Sequence, residues 1–128
     1  MRYYIMAKED QVAALKAGVE AWKKWKEDNP KRRPDLTNAH LSGLNLTGVD
    51  LNGAKLDGAD MEYCVLKQAN FSGASMKRTN LQGVDLTDAI LLNTNLEGAV
   101  LTNSTVTRAD FRGANLTGAD IRNIKKGL

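Results

Sequence analysis

Few side chains in this chain of 128 residues could do chemistry: one histidine, one cysteine and a handful of closely spaced carboxylates. A histidine suits general-base work or metal ligation, but His40 stands alone. One imidazole cannot build a multi-histidine metal site, and no Ser–His pair lies within reach. His40 therefore reads as a solvated surface residue. Asp57, Asp60 and Glu62 are near enough in sequence to suggest acid–base work or a cation site. The single cysteine cannot form an internal disulfide, and Cys64 reads as a buried structural thiol. No phosphate-cradling loop is present, because the glycines recur at intervals of five. No catalytic, metal-binding or cofactor-binding residue is assigned, and the chain is not read as an enzyme.

The spacing of those glycines leads to the elements beneath. From 34 to 124 a large apolar residue stands at every fifth position, as in Leu36, Leu41, Leu46, Leu51, Leu56, Met61, Leu66 and Phe71. Two residues earlier runs a smaller series, including Ala39, Ala54, Ala59, Cys64, Ala69 and Ala74. A step of five fits neither regular element. It rotates side chains around a helix and flips them across a straight strand. So many buried-type residues share one interior only if the chain bends once per repeat. Short strands joined by corners do this, and the result is a β-solenoid. Asp or Asn before the leucine favours turns, and Gly two residues after it tolerates positive φ.

A unit such as Ala114-Asn115-Leu116-Thr117-Gly118 resembles the A(D/N)LXX unit of the pentapeptide-repeat family. The resemblance covers about 90 of 128 residues. It implies a right-handed quadrilateral β-helix in which four units make one coil. The leucine and the small residue two before it would point inward. Residue n then stacks on residue n+20, and the repeats make about four and a half coils. The inner ladders hold Leu46, Leu66 and Leu86, then Phe71, Leu91 and Phe111, with Leu81 in a third. Such a filled interior leaves no room for a ligand. Asp57, Lys77 and Glu97 stack as an outer charge ladder, worth about 0.2–1 kcal/mol per pair.

Three segments follow: 1–33 as capping helix and basic linker, 34–124 as solenoid, and 125–128 as tail. Residues 3–6 form a short β-type run, either paired along the first coil, which is favoured, or a mobile terminus. From 8 to 28 the period is helical. Val12, Leu15, Val19 and Trp22 form an apolar stripe that covers the first coil, while Trp25 falls at its edge. One helix of that length would span roughly 31 Å, against about 16 Å for a five-residue side. It must overhang the coil or be shorter. At the other end, Lys125 and Lys126 leave a monomer and an end-to-end homodimer both open.

Charge narrows the function. Residues 34–123 hold ten acids and seven bases, whereas residues 1–33 hold nine bases and five acids. Some family members protect DNA gyrase by imitating duplex DNA, which needs a dense negative column. The mixed signs here argue against that role. Lys23, Lys24, Lys26, Lys31, Arg32 and Arg33 beside Trp22 and Trp25 could bind nucleic acid, but a solvated helix face explains them as well. The resemblance to small cyanobacterial members with an N-terminal helix cap implies a regulator or scaffold that binds an unidentified protein. Outward Ile90, Leu92 and Val100, with Arg112, are the candidate contact residues. No apolar run is long enough to span a membrane, and no signal peptide is recognised, so the expected location is the cytoplasm. Replacing Leu81 with Lys buries an unpaired charge. The Leu81→Lys protein is expected to lose its β circular-dichroism signal and to be insoluble.

Overall fold

Each repeat closes on a corner in which the residue two after the leucine adopts a left-handed backbone. The computed structural model describes residues 2–127, with side chains from Lys8 onward. At every corner from Asn38 to Asn123, φ lies between 53° and 74°. Glycine occupies half of these corners, while Asn, Asp, Gln, Arg and Tyr occupy the rest. The coil thus imposes this conformation even on Tyr63 and Arg78, side chains that disfavour it. Asn or Asp at the position before the leucine locks the approach to the corner. Asn45 Oδ1, for example, accepts the Thr47 N–H at 3.2 Å, and Asp85 Oδ1 accepts the Thr87 N–H at 3.0 Å.

Between corners, one residue per repeat forms a parallel bridge to the residue twenty positions on, from Asp35 with Lys55 through Thr105 with Lys125. Around Leu46 the pattern is complete. Its N–H donates to the Val65 carbonyl at 2.8 Å, and the Val65 N–H returns to the Leu44 carbonyl at 2.9 Å. The Gly48 N–H reaches the Lys67 carbonyl at 2.8 Å, and the Val49 N–H turns back to the Leu46 carbonyl at 3.0 Å. Four bridged sides complete a coil. We call them wall A (34–38 and every twenty residues beyond), wall B (39–43), wall C (44–48) and wall D (49–53). Lys125, assigned by spacing to the tail, bridges to Thr105 and therefore extends wall C.

Inside the square, Leu46, Leu66, Phe71, Leu81, Leu86 and Leu91 are fully buried. Thr79 and Thr94 occupy inward small-residue positions, where each hydroxyl donates to a carbonyl of the preceding coil at 2.8 Å. Phe111 packs against the core but, unlike the inner residues of earlier coils, is only partly buried. The same departure grows along the last coil, where Leu116 is 37% and Ile121 50% exposed. Their inward direction is unchanged, but no described coil lies over them.

The N-terminal segment differs from the periodicity. Two helices replace one: α1, Arg2–Lys16, and α2, Val19–Asp28. They are split at Gly18, whose φ of 115° and ψ of 176° no helix accommodates. At 1.5 Å per residue, α2 is about 15 Å long and matches one side of the square. Residues 3–6 lie in α1 rather than in a strand. The first-coil edge is instead occupied by side chains. The Asp35 N–H donates to Gln11 Oε1 at 2.6 Å, and Trp22 Nε1 donates to the Asp50 carbonyl at 2.9 Å. Leu15 and Trp22 are buried, whereas Val12 and Val19 are partly buried. Trp25, expected at the edge, is buried too and stacks on Trp22 with ring centroids 5.0 Å apart. The buried stripe therefore reads Gln11, Leu15, Trp22, Trp25, about one position round from the apolar one.

Leu66→Ala removes a fully enclosed side chain and is expected to destabilise the fold by about 2–5 kcal/mol. Leu116→Ala should lower stability by less than about 1 kcal/mol, because its site is already partly open. Urea midpoints of the two variants check the difference.

Candidate functional site

A filled square leaves only the outer walls for recognition, so the question is which wall departs from a solvated polar surface. On wall D the residues flanking inward Leu91 are Ile90 and Leu92. Ile90 is 38% exposed and Leu92 partly buried. Ile90 bridges to Asn70 on one side and Asp110 on the other, and the Leu92 column runs from Asn52 through Ser72 to Arg112. Arg112 lies below the apolar pair, but its guanidinium is committed to Asp110. Its Nε donates to Oδ1 at 2.9 Å and its second terminal nitrogen to Oδ2 at 2.7 Å. Those bonds hold the Asp110 carboxyl below its ordinary range. Val100 does not join the group. Its bridge partners, Asn80 and Asp120, belong to wall B, on the opposite side of the square.

At its first-coil end wall D is continuous with α2. Asp50 accepts Trp22 Nε1 on its carbonyl and Lys26 Nζ on its carboxylate, the latter at 2.7 Å. Partial burial pushes the Asp50 carboxyl up, but the Lys26 ammonium and the Asn52 N–H outweigh it, and its pKa falls below the usual 3.8.

The residues with possible chemistry are dispersed. Asp57 lies on wall A, whereas Asp60 and Glu62 lie on wall B, so the three carboxylates do not converge. Asp57 does not form an ion pair with Lys77. Its Oδ1 accepts the Ser75 hydroxyl at 2.6 Å and the Lys77 backbone N–H at 2.9 Å. The expected charge ladder is thus a backbone clamp, and outer ion pairs form elsewhere. Arg108 grips Asp88 through two bonds of 2.7 and 3.0 Å. Cys64 is buried and its thiol donates to the Leu41 carbonyl. Burial raises its pKa, which keeps it protonated and a poor nucleophile. His40 is exposed on wall B. Among the described residues, no group of three His, Cys, Asp or Glu side chains could hold a metal ion.

Spacing alone missed Tyr63. It is 60% exposed on wall B, and its ring lies over the Gly83 corner, where a Cβ would collide with it. The signal was present: a tyrosine stands where glycine or a small amide is the rule.

The model of the family described as pentapeptide repeats matches residues 32–62, 54–93, 64–103 and 94–125, with eight copies. The chain belongs to the pentapeptide-repeat family. Its fold is that family's right-handed quadrilateral β-helix. Comparison with curated proteins finds no match. Among solved structures, it is similar to a pentapeptide repeat protein of the Arabidopsis thaliana thylakoid lumen. That likeness has a TM-score of 0.66 at 28% identity and covers 68% of this chain and 61% of that one. Rfr23 of the cyanobacterium Cyanothece 51142 aligns with a TM-score of 0.50 at 34% identity, over 76% of this chain and 63% of that one. HetL of Nostoc sp. strain PCC 7120, described as involved in heterocyst differentiation regulation, gives 0.59 at 29% identity, over 71% and 46%. This pentapeptide-repeat chain therefore spans less than two thirds of the length of each of these neighbours. No helix among its described residues is long and apolar enough to cross a membrane.

The Lys26–Asp50 pair makes a pH-dependent prediction. A carboxyl with a lowered folded pKa adds stability above its unfolded pKa and loses it as pH falls through the folded value. Lys26→Met should lower stability at pH 7 by up to about 1 kcal/mol. The gap from the parent should shrink as pH falls below about 4, as followed by thermal melts across pH.

Proposed function

We propose that this protein is a non-enzymatic interaction scaffold. It is a rigid rod of about four and a half coils, with α1 and α2 covering the first, that docks a protein partner on wall D. The observation that carries the reading is the placement of Ile90 and Leu92 on one rung, on either side of an inward leucine. Single exposed apolar residues are ordinary on any surface. Here exposed Ile90 stands beside partly exposed Leu92, with Asn70 and Ser72 on the rung above and Asp110 and Arg112 on the rung below. An apolar centre with a polar rim is the usual anatomy of a protein contact. Membership of a family whose proteins are generally scaffolds rather than enzymes supports the same reading. So does the likeness to HetL, which is itself described as a participant in regulation.

The partner is expected to co-purify with the parent protein and to bind the Ile90→Ser/Leu92→Ser variant at least about tenfold more weakly. Covering the surface that Ile90 and Leu92 still expose contributes about 0.5–1.5 kcal/mol each. Val100→Ser, on the opposite wall, should bind as the parent does. Isothermal titration with the captured partner checks both. Undiminished affinity of the double variant would remove wall D as the docking surface.

A further inference from the structure

At the first-coil end of wall D, the linker after α2 and the solenoid corners enclose an open cleft. Lys31, Arg32 and Arg33 form one side, and Asn52, Gly53 and Gly73 form the floor. Lys26 also borders it but is paired with Asp50. No carboxylate lines it. Arg33 is anchored to the floor, its Nε donating to the Gly53 carbonyl at 2.6 Å. Arg32 lies over the Trp25 ring, its guanidinium carbon 5.2 Å from the ring centroid. Arg33 is thus held against the wall and Arg32 against α2, with Lys31 exposed beside them. At Gly53 and Gly73 the floor is open backbone, where a Cβ would meet nothing within 4 Å.

We propose that this cleft receives an acidic, extended stretch of the protein partner. The proposal rests on the docking role of wall D and names the chemistry of what docks there. Guanidinium groups suit carboxylates, which they can grip through two parallel bonds. The Asn52 column descends through Ser72 to Leu92, two coils away, or about 10 Å. An extended chain covers that distance in about three residues. The partner segment therefore carries acidic side chains at the cleft and an apolar one some three residues further on, against Ile90 and Leu92.

A nucleic acid fits the same surface less well. Trp22 and Trp25 are buried and stacked on each other, so neither offers a free face to a base, as single-strand binding requires. Beyond the cleft the solenoid carries ten acids against seven bases, which repel further phosphates.

The test uses a fluorescein-labelled peptide with a run of glutamates followed by leucines, read by anisotropy with the whole protein. Binding is expected, weakened by added salt. It should fall at least about tenfold when glutamine replaces glutamate or when the protein is Lys31→Glu/Arg33→Glu. The milder Lys31→Gln/Arg33→Gln should also weaken it, and both residues are exposed, so circular dichroism should be unchanged. Absence of peptide binding, or equal binding by the charge-reversed variant, overturns the proposal. So does oligothymidine binding more tightly than the peptide and displacing it. A captured partner that needs Ile90 and Leu92 but ignores Lys31 and Arg33 would leave the docking wall standing and remove only the acidic segment.

Discussion

Backbone pairing between residues twenty apart is the constraint from which the rest follows. Each side has room for one bridging residue and one corner, and the hydrogen bonds above and below fix its height. Only two positions per repeat can then face inward. A leucine-sized residue fills the centre and a smaller one lets adjacent walls close. Hydroxyls at the small position are tolerated because a carbonyl lies within reach, on the preceding coil for Thr79 and Thr94 and on the same coil, at Leu101, for Ser104. A buried hydroxyl without that acceptor would cost about 1–3 kcal/mol. The same geometry removes the usual means of building an active site. It has no loops to bring distant side chains together, and Asp57, Asp60 and Glu62 are turned to different walls by a single corner.

A coil with no neighbour must find other partners for its edge. At the first coil they are side chains. Gln11 accepts the Asp35 N–H and Trp22 donates to the Asp50 carbonyl, each replacing a backbone group that a further coil would have supplied. Gln11 is 3% exposed, and an amide so buried is tolerable only when bonded. The helices thus meet the solenoid in its own hydrogen-bonding terms and not merely through apolar contact. Burial in the last coil declines from Leu101 through Phe111 to Ile121, which shows how much each coil depends on the one stacked over it.

The solenoid was legible in the sequence because its rule is arithmetic. A fifth-residue apolar series with Asn or Asp before it and Gly after it admits few other conformations, and the inner leucines lie where the count puts them. The same arithmetic separates Val100 from Ile90, since ten residues are two sides of the square. Reading outward apolar residues as one group ignored that. The N-terminal segment was less legible, because hydropathy ranks residues by type and not by partner. Gln11 is polar yet buried, because its acceptor oxygen takes the Asp35 N–H. Gly18 reads as a tolerated helix position, though its φ of 115° ends the helix there. Asp57 and Lys77 do share a column, but a carboxylate beside a hydroxyl and a backbone N–H bonds to those before it reaches a flexible ammonium. Spacing gives the column and not the choice of donor.

What the walls provide is a fixed lattice. Side chains in one column repeat about every 4.8 Å, on a backbone bonded both above and below. Binding to such a surface orders little of the protein, so less of the contact energy is lost to immobilisation than on a flexible loop. A few well-placed groups can then suffice where a mobile surface would need many. Ile90 and Leu92, on which the proposed docking rests, stand on such a backbone, since the inward Leu91 between them is fully buried and holds the rung in place. The rungs on either side are polar and satisfied, with Arg112 held by its own Asp110. Within the repeat Arg108, Arg112 and Arg122 are held by Asp88, Asp110 and Asp120, whereas the cations of the linker after α2 border a cleft that no carboxylate lines.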